Sequence, residues 1–181
     1  MGAGLVDSYF LSLAWTVVVL RVTATHGLGA AAVCGTAMLV GVAMSAPVAG
    51  WLSTRLDGRR LLRSAAAVEG TLRLAVFGLL AVDASIWLLS ACVVAMNVMA
   101  WTGYAAMRAE VAAASRGATG LTWYGTVVAS VEAVGVASAA LLPRGGDWLL
   151  AGVAACYVLA LLPTVVVAGR SPVPRLSLIH I

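Results

Sequence analysis

The sequence predicts an all-α membrane protein in which six transmembrane helices form one bundle. The chain is 62% hydrophobic and 10% charged, whereas a soluble domain is nearer half apolar and a quarter charged. Six apolar runs each approach or exceed the roughly 20 residues that a helix needs to cross a bilayer. The linkers between these runs are short, so consecutive helices are expected to be antiparallel neighbours.

The predicted spans define one domain and a tail. They cover about residues 5–23, 28–52, 61–82, 84–107, 119–142 and 148–169, within a domain of residues 1–170. Residues 171–181 are predicted to form a cytoplasmic tail. Two of the three Ile residues, Ile179 and Ile181, and one of the two His, His180, close the chain. This change of composition predicts that the tail is truncated or non-native at its end.

The distribution of arginines predicts the orientation. The second and fourth linkers and the tail carry Arg55, Arg59, Arg60, Arg63, Arg108, Arg116, Arg170 and Arg175, whereas the opposite side has only Arg21 and Arg144. Because basic residues are retained on the cytoplasmic side, both termini are predicted to be cytoplasmic. All eleven basic residues are Arg and none is Lys, a bias typical of GC-rich bacterial genomes. We therefore expect a multi-pass protein of a bacterial inner membrane.

The second linker, Gly50–Arg63, is the densest run of charge. Gly50 is predicted to end the second helix and to let a neighbouring backbone approach closely. Asp57 is placed to cap the third helix by accepting its free N–H groups. Arg59, Arg60 and Arg63 then fall in the first turns of that helix, where the helix dipole disfavours cations. Lipid phosphates or neighbouring carboxylates are their expected partners.

This linker resembles the loop between helices two and three of the major facilitator superfamily of transporters. The family pattern reads roughly Gly-x-x-x-Asp-Arg-x-Gly-Arg-Arg, with an efflux-type variant ending Asp-Arg-Arg-Arg. The matching residues are Gly50, Arg55, Asp57, Arg59 and Arg60. The sequence departs from the pattern at Thr54, where the family has Asp, and at Gly58, where the variant has Arg. Three shorter patterns also look family-like: Gly4-x-x-Asp7, Arg21-x-Thr23 and Pro47-x-x-Gly50.

The resemblance covers about residues 4–170 and implies a function. It implies the N-terminal six-helix half of a secondary transporter of the efflux branch, which moves a drug-like molecule or metabolite by alternating access. The implied partners are the bilayer, a small-molecule substrate, possible coupling protons and a C-terminal half of the same protein. The loop would act as a conformational gate. Thr54 removes the usual carboxylate from that gate, and Asp57 is the candidate substitute.

Ionisable residues within predicted spans are candidates for function, because each costs about 2.5–3.5 kcal/mol at a bilayer centre. Glu69 and Arg73 are four residues apart and share a helix face, which predicts either a neutralising ion pair or part of a relay. Glu132 has no basic residue at pairing distance in its own helix. It either faces a cavity and binds a proton or cation, or faces a helix in neutral form. Asp7 either sits in interfacial water or lines the transport path, as the resemblance implies.

A polar and aromatic stripe marks the fourth helix. Asn97, Trp101, Tyr104 and Arg108 are spaced 4, 3 and 4, which places them on one helical face. Interfacial anchoring explains aromatic residues near a helix end, but Asn97 is too deep for that. The stripe is therefore predicted to line a cavity.

Small residues in the second helix predict close contact with another helix. They are Ala37, Gly41, Ser45, Ala46 and Gly50. Pro47 and Pro163 predict kinks, either static or hinged.

Other functions lack a signature. No catalytic motif, metal box or phosphate-binding loop is present, so we expect no enzyme activity, cofactor or metal. Cys34, Cys92 and Cys156 have no ligand spacing and are interpreted as packing residues. The scattered arginines do not form a nucleic-acid surface. The alternatives are a half-size transporter that dimerises, a non-transporting membrane interaction protein and, less well supported, a membrane enzyme.

Overall fold

A computed structural model describes residues 2–114, 118–142 and 146–169. Within these residues the regular structure is entirely helical, with α1 at Gly2–Ser53, α2 at Gly58–Ala81 and α3 at Ile86–Ala114. Helix α4 spans Ala118–Leu141, α5 spans Asp147–Leu159 and α6 spans Leu162–Ala168. The predicted all-α class is confirmed for this part of the chain. The predicted tail, together with Arg116 and Arg144, lies outside the described residues.

Helix α1 is two helical segments that meet at Gly27. This residue has φ 83° and ψ 174°, a conformation that glycine adopts without a Cβ clash. At 1.5 Å per residue a straight helix of this length would extend roughly 78 Å. Ala3 and Leu52, near its two ends, instead pack in the same apolar cluster. The chain therefore folds back at Gly27, and we call residues 2–26 α1a and residues 28–53 α1b.

Five helical stretches are long and apolar enough to cross a membrane. They are Gly2–Ser53, Gly58–Ala81, Ile86–Ala112, Gly120–Leu141 and Trp148–Ala168. The last stretch combines α5 and α6, which a turn at Ala160 and Leu161 separates. Pro163 lies in the first turn of α6, where its missing N–H leaves no hydrogen bond unmade. Six membrane crossings, with α1 counted twice, stay a prediction.

Small residues set two close helix contacts. A Cβ added at Gly41 of α1b would lie 2.6 Å from the Val94 carbonyl oxygen and 2.7 Å from Asn97 Cβ, both in α3. Ala37 and Ser45, one turn away on either side, are buried on the same face. Gly135 of α4 meets the backbone of α1a at Tyr9 and Leu13. Helix α1 therefore packs on α3 through its second segment and on α4 through its first.

Two helices continue beyond the residues at which the sequence suggested an end. Helix α1b continues through Gly50 to Ser53, and no atom lies within 4 Å of a Cβ built on Gly50, so no backbone approaches it closely. The reason is that this helix face is exposed, as it is at Ala46. Helix α3 extends seven residues beyond the predicted end at 107, to Ala114. Arg108 is consequently a helical residue and not part of a loop.

The core consists of two apolar clusters. One contains Leu13 and Val22 of α1a together with Val76, Val93 and Ala139. The other contains Ala3, Leu61, Met107, Tyr124 and Val128. Four candidate polar residues lie, along their helices, between the residues of one cluster and those of the other: Asp7, Glu69, Asn97 and Glu132. Arg73 follows Leu72, which packs against the first cluster. The bundle thus has a polar layer with an apolar cluster on either side.

Candidate functional site

The centre of the polar layer is the guanidinium of Arg73, which is fully buried. Its Nε donates to Glu69 Oε1 at 3.0 Å, and its Nη2 donates to the same oxygen. Nη2 also donates to Asp7 Oδ1 at 2.7 Å, and Nη1 donates to the backbone carbonyl of Tyr157. The Tyr157 ring lies against the guanidinium, 3.7 Å from its carbon to the ring centroid. One cation therefore holds α1a, α2 and α5 together.

The structure brings together Glu69 and Arg73, as their four-residue spacing predicted. It also recruits Asp7, whose side chain is 26% exposed. Asp7 is therefore partly exposed and at the same time paired with Arg73. Asp7 and Arg73 lie 66 positions apart in sequence, so no helical spacing could have indicated this contact. Two carboxylates share one guanidinium, which leaves the cluster with one negative charge in excess when both acids are ionised.

A cavity of about 250 Å³ lies beside this cluster, between α1a, α3 and α4. Five of the six residues predicted for a substrate or proton path line it: Asp7, Trp101, Tyr104, Arg108 and Glu132. Small and apolar residues complete the wall, including Ala100, Gly125, Val128 and Ala129. The Trp101 and Tyr104 rings meet edge to face, with centroids 5.4 Å apart. Three of the four residues of the predicted stripe on α3, Trp101, Tyr104 and Arg108, thus line this cavity.

Asn97 is the exception. Its side chain is buried, its Nδ2 donates to the Val93 carbonyl at 2.9 Å, and its Cβ faces Gly41. The amide satisfies its hydrogen bond within α3 while α1b covers it. Asn97 therefore lies outside the cavity wall, which corrects its prediction as a path residue. A shared stripe fixes the face of a helix, but it does not specify which neighbour covers each turn of that face.

Tyr124 of α4 was missed by the sequence reasoning. It is 3% exposed, and its hydroxyl has no hydrogen-bond partner among the described residues. Its ring stacks on Tyr104 at a centroid distance of 6.3 Å. Together with Asp7, Ser8 and Glu69 it lines a second cavity of about 30 Å³, which is the volume of about one water molecule. A side chain at Gly4 would overlap the Tyr124 hydroxyl, a contact between α1a and α4 that no sequence spacing indicates.

The basic loop shows the predicted cap. Asp57 Oδ1 accepts a hydrogen bond of 2.7 Å from the Arg60 backbone N–H, at the start of α2. The guanidinium carbon of Arg55 lies 4.2 Å from the Trp51 ring centroid. Arg59 and Arg60 are exposed, and Thr54 Oγ1 donates to the Trp51 carbonyl. Asp57 thus already serves the helix end, whether or not its charge also serves a gate.

The structure contains no obvious metal centre within its described residues, where no three His, Cys, Asp or Glu side chains converge. Cys34 is buried and Cys156 is exposed. Searches with the sequence against protein-family models and curated proteins, and with the fold against solved structures, found no match. The resemblance to the major facilitator superfamily therefore rests on the sequence patterns of the loop and of the two helices before it, and function has to be argued from the site.

Proposed function

We propose that this chain is one six-helix half of a secondary transporter of the major facilitator type, and that it acts in the efflux of a small molecule. The observation that carries the proposal is the Asp7–Arg73–Glu69 cluster, which opens beside a cavity in an otherwise apolar bundle. Ionisable groups at bilayer depth are costly and mark substrate or ion paths. A purely structural bundle gains little from such a group, because apolar side chains of similar volume stabilise equally well or better.

The helical layout supports six crossings. Segments α1a and α1b contain 25 and 26 residues by the bounds given above, and each exceeds the about 20 that a span requires. With the four stretches that follow, the count is six. In this proposal both termini lie in the cytoplasm of a bacterial cell, an orientation that an even count and the arginine distribution favour. The cavity then lies on the face of α1a, α3 and α4 that a second half would cover.

In this proposal the charge cluster couples a proton to transport. The excess carboxylate binds a proton in one state of the transporter and releases it in the other. The changed attraction to Arg73 shifts α1a relative to α2, because Asp7 and Arg73 belong to these different helices. Rocking of two halves about a central site is how such transporters alternate access.

Genomic sequence provides the first test. Six further spans encoded beyond codon 175 would support a transporter of two unlike halves. A stop codon at that place would instead favour the alternative of a half-size protein that pairs with a second copy. The two outcomes also differ in the purified protein, because a monomer of residues 1–175 lacks half of the path and should not transport.

A transport assay provides the second test. The complete gene is expressed in a bacterial host without its own efflux pumps, and export of ethidium, fluorescein and Nile red is followed. We expect export of at least one dye that collapses with the proton gradient and is lost in Asp7→Asn. Failure to export any compound of a wide panel, or unchanged export in Asp7→Asn, would reject the proposed coupling. Transport by the monomeric fragment would reject the two-half architecture.

A further inference from the structure

The larger cavity has basic and acidic ends. Helices α3 and α4 run antiparallel on either side of the stacked Tyr104 and Tyr124 rings. Arg108 lies four residues from Tyr104 toward the α3–α4 connection, and Glu132 lies eight residues from Tyr124 in the opposite direction. At 1.5 Å per residue, these twelve residues place the backbone of Arg108 roughly 18 Å from that of Glu132 along the bundle. No ion pair joins Arg108 to Glu132 in the described part of the chain.

The acidic end has negative charge that the protein leaves unbalanced. Glu132 has no hydrogen bond or ion pair with any residue that the structure describes. Asp7 accepts a hydrogen bond from Arg73 with one oxygen, but Arg73 also donates to Glu69. Carboxylates in an apolar setting are stable only when a proton, a hydrogen-bond donor or a cation balances them. The acidic end of the cavity is therefore suited to a positive group.

Aromatic rings line the same cavity as these acids. Trp101 is part of the cavity wall and remains 39% exposed, and its ring meets the Tyr104 ring edge to face. The face of an indole attracts cations more strongly than any other side-chain ring. An anion, in contrast, would find only Arg108, which is exposed at the other end. The cavity volume of about 250 Å³ is below the roughly 300–1,000 Å³ of drug-sized pockets.

We propose that the cavity binds a small organic cation, a substituted ammonium with an apolar body. The ammonium group contacts Glu132 and the Trp101 ring, and the apolar body packs on Ala100, Val128 and Ala129. Arg108 at the opposite end orients the ligand by repelling its positive group. This inference rests on the proposed transport function and specifies the substrate class for the same site.

Direct binding tests the inference without requiring transport. The full chain is purified in detergent, and equilibrium dialysis measures binding of radiolabelled benzyltrimethylammonium, a cation whose charge does not change with pH. Benzylsulfonate, an anion of similar size with the same ring, is the matched ligand control. We expect saturable binding of the cation and no saturable binding of the anion. Preference for the anion, or no saturable binding of the cation, overturns the inference.

Paired variants locate the site. Glu132→Gln should weaken cation binding at least about tenfold, because the ammonium group loses its ion-pair partner. Trp101→Leu should weaken it about threefold to thirtyfold, the range expected for a cation–π contact. Asp83→Asn and Trp123→Leu are the controls and should bind as the unaltered chain does. Asp83 lies in the exposed turn after α2, and Trp123 is exposed on α4 away from the cavity wall.

The outcomes separate this inference from the proposed function. Circular dichroism and gel filtration establish whether each variant folds. If Glu132→Gln does not fold, Trp101→Leu and the comparison of benzyltrimethylammonium with benzylsulfonate still test the inference. Equal affinity in both site variants and the unaltered chain overturns the site. Dye export without cation binding rejects the substrate class and leaves the transporter proposal intact. Cation binding without any export by the complete gene product supports the site and rejects transport.

Discussion

Arg73 Nη2 lies 2.7 Å from Asp7 Oδ1, and this contact joins α2 to α1a across 66 positions of the sequence. The same nitrogen also donates to Glu69, and Nη1 donates to the backbone carbonyl of Tyr157 in α5. Because Arg73 is fully buried, solvent cannot replace any of these partners. The packing of three helices therefore depends on the charge state of one small cluster.

Removing the cation should be severely destabilising. Arg73→Met leaves the buried Glu69 and the partly buried Asp7 without their shared cation, and breaking a buried pair in this way costs about 3–5 kcal/mol. The triple change Arg73→Met, Asp7→Asn, Glu69→Gln removes all three charges and should recover most of that loss. Thermal unfolding in detergent measures both. If the single and triple variants are equally unstable, shape rather than charge governs this site.

The contact between α1b and α3 should reject even one methyl group. Gly41→Ala places Cβ 2.6 Å from the Val94 carbonyl oxygen, so the helices must separate at a cost of about 1–3 kcal/mol. Gly35→Ala, in the same segment, meets no atom within 4 Å and should stabilise by about 0.5–1 kcal/mol. The midpoints of thermal unfolding should therefore shift in opposite directions. Shifts of the same sign would argue against this packing.

Two substitutions at Asp57 separate its role as a helix cap from the role of its charge. Asp57→Ala should destabilise the protein by about 0.5–2 kcal/mol, because the Arg60 N–H loses its acceptor. Asp57→Asn keeps an acceptor oxygen and should unfold near the temperature of the unaltered chain. If its charge also gates transport, Asp57→Asn will slow dye export by the complete gene product at unchanged stability. Normal export in this variant would remove Asp57 from the proposed gate.

Surface labelling should decide the orientation. Asp83 and Arg59 are both exposed, at the two ends of α2. With both termini cytoplasmic, a membrane-impermeant thiol reagent should label Asp83→Cys in intact cells and should miss Arg59→Cys until the cells are opened. The three native cysteines are first replaced by alanine. Labelling of Arg59→Cys alone in intact cells would invert the predicted topology.

The sequence was sufficient for contacts that lie within one helix or depend on residue size. Apolar runs located the helices, the four-residue spacing paired Glu69 with Arg73, and small residues marked the face of α1b around Gly41. The contact of Asp7 with Arg73 and the burial of Asn97 depend on which helices become neighbours. Local periodicity has no information about that choice, because it specifies a face and not the helix that covers it.

Boundary errors have a similar cause. Gly50 has a weak helix propensity, yet the helix continues to Ser53, whose hydroxyl donates to the Gly50 carbonyl. Gly27 has the same intrinsic freedom, and there the chain does reverse. Both α1 segments bury apolar side chains in one cluster around it, including Val22 and Cys34. Tertiary packing, and not the intrinsic freedom of glycine, thus determines that the helix breaks at Gly27 and continues through Gly50.

The reversal at Gly27 joins α1a directly to α1b without a linker, since only this residue departs from helical backbone angles in the whole stretch. The rotational setting of α1b about its axis is therefore fixed by the number of residues before it. Inserting one residue next to Gly27 would turn all of α1b by about 100°. Ala37, Gly41 and Ser45 would then point away from α3, and larger side chains would take their place against Val94. Insertion of a single codon at this corner would misalign a helix along its entire length, although it alters no residue of the core.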